Sequence, residues 1–457
     1  MDIASNSRRL LARAVVGGIF VLSAATAAAE WSTTVGPGID VEATVDLGFG
    51  GFGNWGTNFG VGRLNPHTGE SEGDPLYGES YIEPALLFAR GFESGHEIYG
   101  QVSTVAAVTL GDGDPGGFTS GGDGQIALET AQLGWRSGSL EDAATRPVFE
   151  VSVGPQEFDV GDGWLIDDGN FDAGDDGATW LLPRQAFRRA FIGRMDYRRV
   201  HVDAFFVEAD RDQENTAIAG TNLEYRIGDG HLGLLWFEVV DTDVPNLYAA
   251  RDGMETLSLR ANDLRWRGMP NLAFHAEYTR QMGAGDDGDF EAEAWYGETG
   301  YTFATLPWTP TLSYRYAYFS GDADPTDATR REFEPFFYGF DKRGWGTWFQ
   351  GEIGGGWFLF NANQRNHYVH LNAIPNERWS VGVMGLSFDL AESNYLGAPV
   401  TDKHFGDEFN AYADWSVTDS VILSLAYGVM FPGDGGVQAL GDDEDFHTLE
   451  GAMYLSF

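Results

Sequence analysis

Segments of about ten residues in which apolar and polar residues alternate recur along most of the chain. The last eleven residues, HTLEGAMYLSF, show the pattern, with Leu449, Met453 and Phe457 on one face and Thr448 and Glu450 on the other. A period of two places successive side chains on opposite faces of a β-strand, whereas a helix would need a period of 3.6 residues. The alternation therefore predicts a chain built from β-strands.

A soluble antiparallel sheet would also alternate, but three further features favour a transmembrane barrel. The segments have the length needed to cross a bilayer at a tilt. Aromatic residues cluster at their ends, as in interfacial girdles, and short turns alternate with long Gly- and Asp-rich connections. Eighteen spanning strands are predicted, at 35–49, 80–89, 96–108, 127–136, 147–156, 188–196, 198–208, 218–227, 230–240, 254–263, 271–281, 290–300, 309–319, 366–374, 379–390, 407–416, 420–430 and 447–457.

The predicted fold class is all-β: a transmembrane antiparallel β-barrel of about 18 strands with long acidic Gly/Asp-rich external loops. Such a barrel encloses an aqueous lumen. The short turns would face the periplasm, at 91–95, 228–229, 375–378 and 417–419. The long connections would face outward, at 50–79, 109–126, 157–187, 320–365, 391–406 and 431–446.

The aromatic and glycine-rich segment 347–361 is the ambiguous one. Counted as a strand, it would put long loops on both sides of the membrane. We therefore expect it in a long external or inward-folded loop. The alternative is that it is a strand and that one weaker candidate is not.

The N-terminus predicts export. Residues 1–29 contain Arg8, Arg9 and Arg13, an apolar run and small residues ahead of Glu30, the pattern of a secretory signal peptide. The barrel would then occupy residues 30–457, in the outer membrane of a Gram-negative bacterium. A chain that ends on Phe457 in an alternating strand resembles the C-terminal signature of outer-membrane proteins, so the insertion machinery is an expected partner, together with outer-membrane lipid.

Composition excludes several classes of function. With 69 acidic and 28 basic residues the formal net charge is −41, which argues against a nucleic-acid partner. The absence of Cys excludes disulfides, thiolate nucleophiles and iron–sulfur clusters. The sequence contains no Gly-x-Ser-x-Gly or His-Glu-x-x-His motif. We therefore expect neither an enzyme nor a bound cofactor.

Polar residues opposite the apolar stripes are the candidates for lining the lumen, where charged rings set the selectivity of a pore. A group of arginines between positions 184 and 199 stands out in a chain with so few basic residues. Part of it could form a ladder for carboxylates, while the alternatives are pairing with acids and anchoring at the membrane rim. The candidate lumen and substrate residues are Arg188, Arg189, Arg194, Arg199, Arg136, Arg260, Arg315, Glu150, Asp203, Glu277 and His275.

The Asp-Gly loops raise the question of a calcium site, because clustered carboxylates at alternating positions can hold that ion. The nearest approach is Asp168, Asn170 and Asp172. Ala173 replaces the expected Gly, and Thr179 replaces the terminal Glu. Solvated loops, or loose divalent bridging to lipid headgroups, explain the same residues.

Two stretches resemble the alginate-export family of outer-membrane barrels. One combines GPQEFDVGDGWLIDDGNFD (154–172) with LPRQAFRRAFIGR (182–194), and the other covers 336–375 and 407–433. The resemblance implies an eighteen-stranded export channel with an arginine-lined constriction for an acidic polysaccharide. It would assign contact with anionic sugar units to Arg188, Arg189 and Arg194.

The expected function is an outer-membrane channel that passes a hydrophilic solute, with polysaccharide export suggested by the resemblance. A general or cation-preferring diffusive porin is an alternative within transport. A structural or adhesive barrel without transport is the alternative from another class.

Overall fold

The computed structural model describes residues 31–36, 38–243, 251–285, 288–339 and 350–457. The predicted signal peptide, residues 1–29, lies outside the described residues. Among the described residues, no helix is both long enough and apolar enough to cross a membrane.

The described residues form 22 strands, which we number in chain order. The first eleven are β1 (Trp31–Thr34), β2 (Ile39–Trp55), β3 (Leu76–Gly91), β4 (Glu97–Gly111), β5 (Gly124–Arg136), β6 (Val148–Val153), β7 (Arg189–Tyr197), β8 (Val200–Glu208), β9 (Ala217–Ile227), β10 (Gly230–Asp241) and β11 (Met254–Trp266). The others are β12 (Met269–Gly285), β13 (Gly288–Thr302), β14 (Thr311–Phe319), β15 (Thr329–Arg330), β16 (Gln364–Asn376), β17 (Trp379–Leu390), β18 (Asn394–Tyr395), β19 (Ala398–Pro399), β20 (His404–Thr418), β21 (Val421–Pro432) and β22 (Phe446–Ser456).

Helical structure is short. Within the described residues the helices are one α-helix, Asp434–Leu440, one π-helix, Gly351–Leu359, and 3-10 helices at Thr57–Gly60, Leu140–Ala144, Gly174–Asp176 and Arg211–Gln213. The π-helix falls within the segment whose assignment was ambiguous, so the inward-folded alternative is confirmed for the described residues.

Eighteen of the strands form one antiparallel barrel in which each pairs with its sequence neighbours. The barrel closes where β2 pairs with β22, from Asp46 opposite Ser456 to Trp55 opposite His447. The other four strands lie outside this ring: β1 pairs with the start of β2, β15 lies beside β13, and β18 pairs with β19. The predicted barrel and its strand number are confirmed.

The two faces of the barrel have the polarity of a membrane protein. On β3, the outward Ile82 and Leu86 are 42% and 50% exposed, while the inward Glu79 and Glu83 are 2% and 6% exposed. On β20, the outward Phe409 is 42% exposed. Apolar residues therefore face the lipid and charged residues face the interior, as outer-membrane barrels require.

Strand lengths differ from the prediction in both directions. β2 extends to Trp55, well into the predicted loop 50–79. β12 and β13 extend into residues 282–289, which lie between the strands predicted at 271–281 and 290–300. β6 is only six residues long, because Gly154, at φ 108°, turns the chain away before Pro155. Strand ends beyond the bilayer carry no constraint to be apolar, which is why alternation located them poorly.

Two long external loops fold into the barrel. Residues 154–188 bring Trp164 against Tyr296 of β13, with ring centroids 5.2 Å apart. Residues 350–363 bring Phe358 against Phe405 and Phe446, with ring centroids 5.7 and 6.0 Å apart. These contacts belong to two of the three buried apolar clusters of the described residues, and both lie inside the external half of the lumen.

The π-helix depends on glycine for its position. A Cβ on Gly354 would lie 2.5 Å from the ring of Phe388 on β17. The segment is glycine-rich because the helix backbone packs directly against the aromatic inner wall.

The lipid-facing assignment predicts a depth-dependent cost for charge. Ile82 lies in the middle of β3, so Ile82→Arg should lower the free energy of unfolding in lipid vesicles by about 2–4 kcal/mol. Leu110 is also exposed but lies at the external end of β4. Leu110→Arg is the matched control and should cost about 0–1 kcal/mol in a urea titration. Equal costs at the two positions would contradict the assignment.

Candidate functional site: the charged inner wall

The inner face of strands β4 to β11 carries acids and bases that bond across neighbouring strands. We call this set the paired sector. It lies mainly in the periplasmic half of the barrel, below the infolded loops. Its charged members are Glu97, Arg136, Glu150, Arg194, Asp196, His201, Asp203, Glu224, Arg226 and Arg260.

Glu150 on β6 is the first centre of this sector. Its carboxylate accepts a hydrogen bond from Arg136 Nε at 2.5 Å and another from Arg194 Nη1 at 3.1 Å. The Tyr99 hydroxyl donates to the same carboxylate at 2.7 Å. Arg136 also lies 3.7 Å from Glu97. Two predicted lumen arginines are thus brought together on one predicted lumen acid.

Asp203 on β8 is the second centre. Arg194 Nε lies 3.5 Å from it and His201 Nε2 lies 3.0 Å from it. Asn222 on β9 donates to Asp203 at 2.8 Å. Arg194 therefore bridges Glu150 and Asp203, which links strands β6, β7 and β8 through one guanidinium.

Arg260 on β11 joins the wall to an infolded loop. Its Nη2 donates to Asn222 and Glu224, both at 2.5 Å, and the side chain is almost entirely buried. Two glycines make room for it, since a Cβ on Gly161 or Gly233 would lie 2.6 or 2.5 Å from its guanidine atoms. The loop backbone at Gly161 therefore covers the predicted lumen residue Arg260.

The remaining inward candidates lie on β12 and β14, where His275 is partly buried and Glu277 and Arg315 are buried. His275 Nδ1 accepts a hydrogen bond from the Asp263 backbone N–H at 3.1 Å and lies 3.7 Å from Asp162. Glu277 accepts a hydrogen bond from the Ser258 hydroxyl at 2.5 Å.

Arg315 is fully buried between two strands. Its guanidinium carbon lies 4.4 Å from the centroid of the Tyr368 ring, and Nη1 lies 3.7 Å from Glu298. The arginine is thus held by a cation–π contact on one side and a carboxylate on the other.

Three predicted lumen residues lie elsewhere. Arg189 is outward-facing at the external end of β7, opposite Glu208, and its side chain is 68% exposed. Arg188 bonds to the same Glu208. Arg199 is exposed in the two-residue turn between β7 and β8. Arg189 is five residues from Arg194 on the same strand, so a period of two places the two side chains on opposite faces. Alternation cannot place Arg199, because it lies in a turn.

Arg184, from the same arginine-rich stretch, is buried in an infolded loop among four carboxylates. Asp210 and Asp176 lie at 2.8 and 3.2 Å, and Glu129 and Asp172 at 3.5 and 3.8 Å. Burial opposes the charged form of Arg184, but the carboxylates outweigh it and raise its pKa. Burial likewise opposes ionisation of Asp210, yet Arg184 holds the pKa of that carboxyl below its ordinary value.

We call Arg184 and its four carboxylates the Arg184 cage. Asp172, one of the candidate calcium residues, belongs to it. Asn170 and Asp172 donate backbone N–H groups to the side-chain oxygens of Asp168 and Asn170, at 2.9 and 3.2 Å. These are Asx turns, which explain the alternating acidic spacing without an ion. Arg184 supplies the positive charge that Asp172 faces.

Two other acidic groups among the described residues have ligand atoms close enough to hold a cation. They are His67, Asp123 and Asp175, and Asp176, Asp210 and Asp212. Neither contains a residue of the predicted calcium site. Arg184 and Arg211 already bond to the second group.

The inner face of β2, β3, β20 and β22 is acidic. These strands contain one arginine and no lysine, and that arginine, Arg90, is outward-facing at the periplasmic end of β3. We call the buried inward acids of this face the acidic sector. They are Glu42, Asp46, Glu79, Glu83, Glu408, Asp414 and Glu450.

The part of the acidic sector on β2 and β3 was not predicted from the sequence, although its signal is present. Glu42 and Asp46 are four residues apart, as are Glu79 and Glu83, so strict alternation places each pair on one face. The predicted strands ended at 49 and began at 80, which left Glu79 in a loop.

Acids of this sector hold the infolded loops. Glu408 accepts hydrogen bonds from the backbone N–H groups of Ile353 and Gly354, at 3.0 and 2.7 Å. Glu79 accepts one from the Leu181 N–H at 2.8 Å, and Glu450 accepts one from Trp180 Nε1 at 3.0 Å. Both loops are thus attached to the wall through buried carboxylates.

Solved bacterial structures share this fold. The outer membrane protein OpdK of Pseudomonas aeruginosa is 12% identical, with a TM-score of 0.54 over 91% of this chain and 98% of that chain. OccK5 (OpdH) of Pseudomonas aeruginosa is 10% identical, with a TM-score of 0.53 over 91% and 98%. OccAB4 of Acinetobacter baumannii is 11% identical, with a TM-score of 0.54 over 91% and 98%. No individual protein with a curated description matches the sequence.

A closed 18-strand barrel with an apolar outside and a charged inside defines the protein as an outer-membrane β-barrel of the porin type. A model of the alginate export family matches residues 139–354, slightly less than half of the chain. The predicted resemblance to that family is thereby confirmed for this region, which contains the infolded loop 154–188 and the paired sector from Glu150 to Arg260.

The Arg184 cage predicts a large stability effect. Arg184→Met would remove the buried cation that four carboxylates share, so we expect a loss of about 3–5 kcal/mol in the free energy of unfolding. Arg211→Met is the control, because Arg211 bonds to the same Asp176 but its side chain is 62% exposed. That variant should lose at most about 1 kcal/mol. Urea titration of both proteins checks the difference, and equal losses would contradict it.

Through Asp212, the stability of the fold should depend on pH with the opposite sign to that of an acid in an ordinary ion pair. Burial and the nearby Asp176 raise the pKa of Asp212 to about 6. An acid whose pKa is raised on folding destabilises the fold as pH increases from about 4 to about 6. Asp212→Asn should therefore raise the melting temperature by about 2–4 °C at pH 8 and leave it unchanged at pH 4.

The control for this effect is Asp142→Asn. The hydrogen bond from Arg146 holds the pKa of the exposed Asp142 below its usual range, so its replacement should not stabilise the protein at any pH. A stabilisation of the Asp212→Asn variant that is the same at pH 4 and pH 8 would contradict the assignment.

Proposed function

We propose that the protein is an outer-membrane channel for hydrophilic solutes and that its solute is an acidic polysaccharide moving outward. The observation that carries the channel is the distribution of charge in the barrel. Ionic side chains line the inner face of the periplasmic half, on β4 to β11 in the paired sector and on β2, β3 and β20 in the acidic sector. The polysaccharide is supported by the resemblance to the alginate export family. The proposal includes no enzymatic activity.

In this proposal the arginines of the paired sector are the contacts for anionic groups. Arg194 has a side chain 28% exposed, the most accessible of the inward arginines at the two carboxylate centres. Arg136 is 13% exposed, and Arg260 is covered by the loop backbone at Gly161. A carboxylate of the solute would therefore meet Arg194 first. The solute carboxylate would replace Glu150 or Asp203 as the partner of Arg194, so the guanidinium would stay paired while the solute passes.

The infolded loops are the proposed closure. The π-helix, from Gly351 to Leu359, is entirely buried in the external half of the lumen. It is attached to the wall at Glu408 by two hydrogen bonds and by aromatic packing. A polymer can pass through the lumen only if the π-helix moves away from Glu408 and the wall around it. The structure with the π-helix in place is therefore the closed state, which in this proposal is the resting state.

A cation-preferring diffusive porin is the second candidate. The acidic sector favours it, because Glu42, Asp46, Glu83 and Asp414 line the periplasmic half on strands that carry no inward arginine or lysine. Inner-wall acids create a potential that concentrates cations. This candidate and the exporter differ in which sector the solute contacts.

Planar-bilayer recordings separate the two candidates. For the exporter, uronate oligomers should block the current, and Arg194→Gln should weaken the block about tenfold, the effect of losing one charge-assisted contact. Arg189→Gln is the matched control, because Arg189 lies on the outer face, and should leave the block unchanged. Cation preference that falls in Asp46→Asn, with no block by uronates, would replace the exporter by the porin. A folded barrel that carries no current even after residues 350–361 are replaced would exclude both.

If the π-helix closes the lumen, removing it should open the pore. Replacing residues 350–361 by a short Gly-Ser linker should raise the single-channel conductance several-fold, because the segment occupies the external half of the lumen. The control is the same replacement of residues 66–70, which are exposed. An unchanged conductance in the first variant would show that the segment does not limit the pore.

Export to this membrane is part of the proposal. Residues 1–29 would be removed on secretion, and the strand that ends on Phe457 would be recognised by the insertion machinery. Mass determination of the N-terminus of the membrane-inserted protein tests the first point. Outer-membrane insertion of a Phe457→Ser variant tests the second.

A further inference from the structure

The periplasmic rim of the barrel between β7 and β12 combines exposed arginines with aromatic side chains on the outer face. Arg198 and Arg199 form the turn between β7 and β8, and Arg267 lies in the turn between β11 and β12. All three side chains are exposed. Within the described residues no carboxylate lies within ion-pair distance of any of them. They are positive charges that the described part of the chain does not neutralise.

The aromatic residues beside them face the lipid. Tyr197 pairs with Val200 across β7 and β8 on the outer face, and the Arg198 guanidinium carbon lies 4.9 Å from its ring centroid. Trp266 directly precedes Arg267 and is 76% exposed. Aromatic rings at this position mark the level of the lipid headgroups. The arginines are therefore held at the depth of the headgroup phosphates.

The surrounding charges leave a positive excess. Arg226 and Arg265 are bonded to Asp196 and Asp263, at 3.3 and 2.9 Å, and Asp229 is exposed in the intervening turn. Five arginines thus face three aspartates along this arc. Strands lie about 4.8 Å apart, so the four strand intervals between the two arginine-bearing turns span about 20 Å, enough for more than one lipid headgroup.

Arginines elsewhere on this rim have partners or stand alone. Arg146 lies 2.8 Å from Asp142, and Arg378 lies 3.9 Å from Asp419. Arg90 is a single arginine at the end of β3, with its guanidinium carbon 5.0 Å from the centroid of the Phe92 ring. Among the described residues, several unpaired arginines on this rim therefore occur together only in the arc between β7 and β12. In a protein whose net charge is −41, that arc is where an anion meets the least repulsion.

We propose that this arc, formed by Arg198, Arg199 and Arg267 with Tyr197 and Trp266, binds the phosphate groups of anionic phospholipids in the periplasmic leaflet. The guanidinium groups donate paired hydrogen bonds to phosphate oxygens, while the aromatic rings pack along the glycerol and upper acyl region. The lipid thereby anchors a strongly acidic barrel to an anionic leaflet at a fixed depth. The arc faces outward at the rim, so this binding does not depend on which solute the lumen passes.

The experiment compares lipid preference in the folded, full-length protein. Wild type, an Arg198→Gln/Arg199→Gln/Arg267→Gln variant and an Arg146→Gln/Arg378→Gln control are solubilised from mixed phosphatidylglycerol and phosphatidylcholine vesicles. Retained lipids are counted by native mass spectrometry at low and high salt. Each arginine near an anionic surface contributes about 1 kcal/mol, which corresponds to about fivefold in binding.

Wild type and control should retain phosphatidylglycerol in preference to phosphatidylcholine, and the triple variant should lose at least about tenfold of that preference. The difference should shrink at high salt, because exposed charges are screened. Equal preference in all three proteins would overturn the proposal. A triple variant that keeps its lipid preference but no longer binds oligogalacturonate would overturn it in favour of a docking site for a soluble polyanion.

Discussion

The hydrogen bonds that close β2 on β22 are the constraint on which the rest of the structure depends. In the hydrocarbon core no water is available to satisfy backbone N–H and C=O groups, so a sheet can cross the membrane only if it has no edge. Closure also separates inside from outside, and the outside must then be apolar. A charged side chain at the level of the hydrocarbon core must therefore point into the lumen, whereas the outward Arg90 and Arg189 lie at strand ends.

A lumen enclosed by eighteen strands is too wide to be filled by wall side chains alone. In this protein the two halves of the lumen differ. In the periplasmic half, acids and arginines bond across strands through shared centres such as Glu150 and Asp203. In the external half, two loops enter the barrel and bring their own apolar cores. The carboxylates of Glu79, Glu408 and Glu450 join the two halves, because they belong to the wall but bond to the loops.

The features that the sequence predicted correctly are those that depend on periodicity, whereas bonding partners were predicted less well. The strand number and the inward direction of Arg136, Arg194 and Glu150 come from a period of two on segments of membrane-spanning length. Periodicity does not locate the end of a strand, because beyond the bilayer both faces meet water, and Arg199 was therefore placed on a strand when it lies in a turn. The Arg184 cage joins Glu129 of β5 to Asp210 after β8. These residues are far apart in the sequence, so no local pattern indicates that they bond. Contact with a substrate likewise has no local sequence pattern, so the substrate roles of the lumen arginines stay predictions.

Glu408 holds the π-helix by accepting hydrogen bonds from two main-chain N–H groups. A contact of this kind recognises the course of a backbone and is indifferent to most side chains. The seat in the wall can therefore accept loops of many sequences, provided that a glycine such as Gly354 stands where the backbone meets Phe388. Loop and barrel are in this respect separable modules, and the loop is free to diverge in sequence while the wall that receives it stays the same.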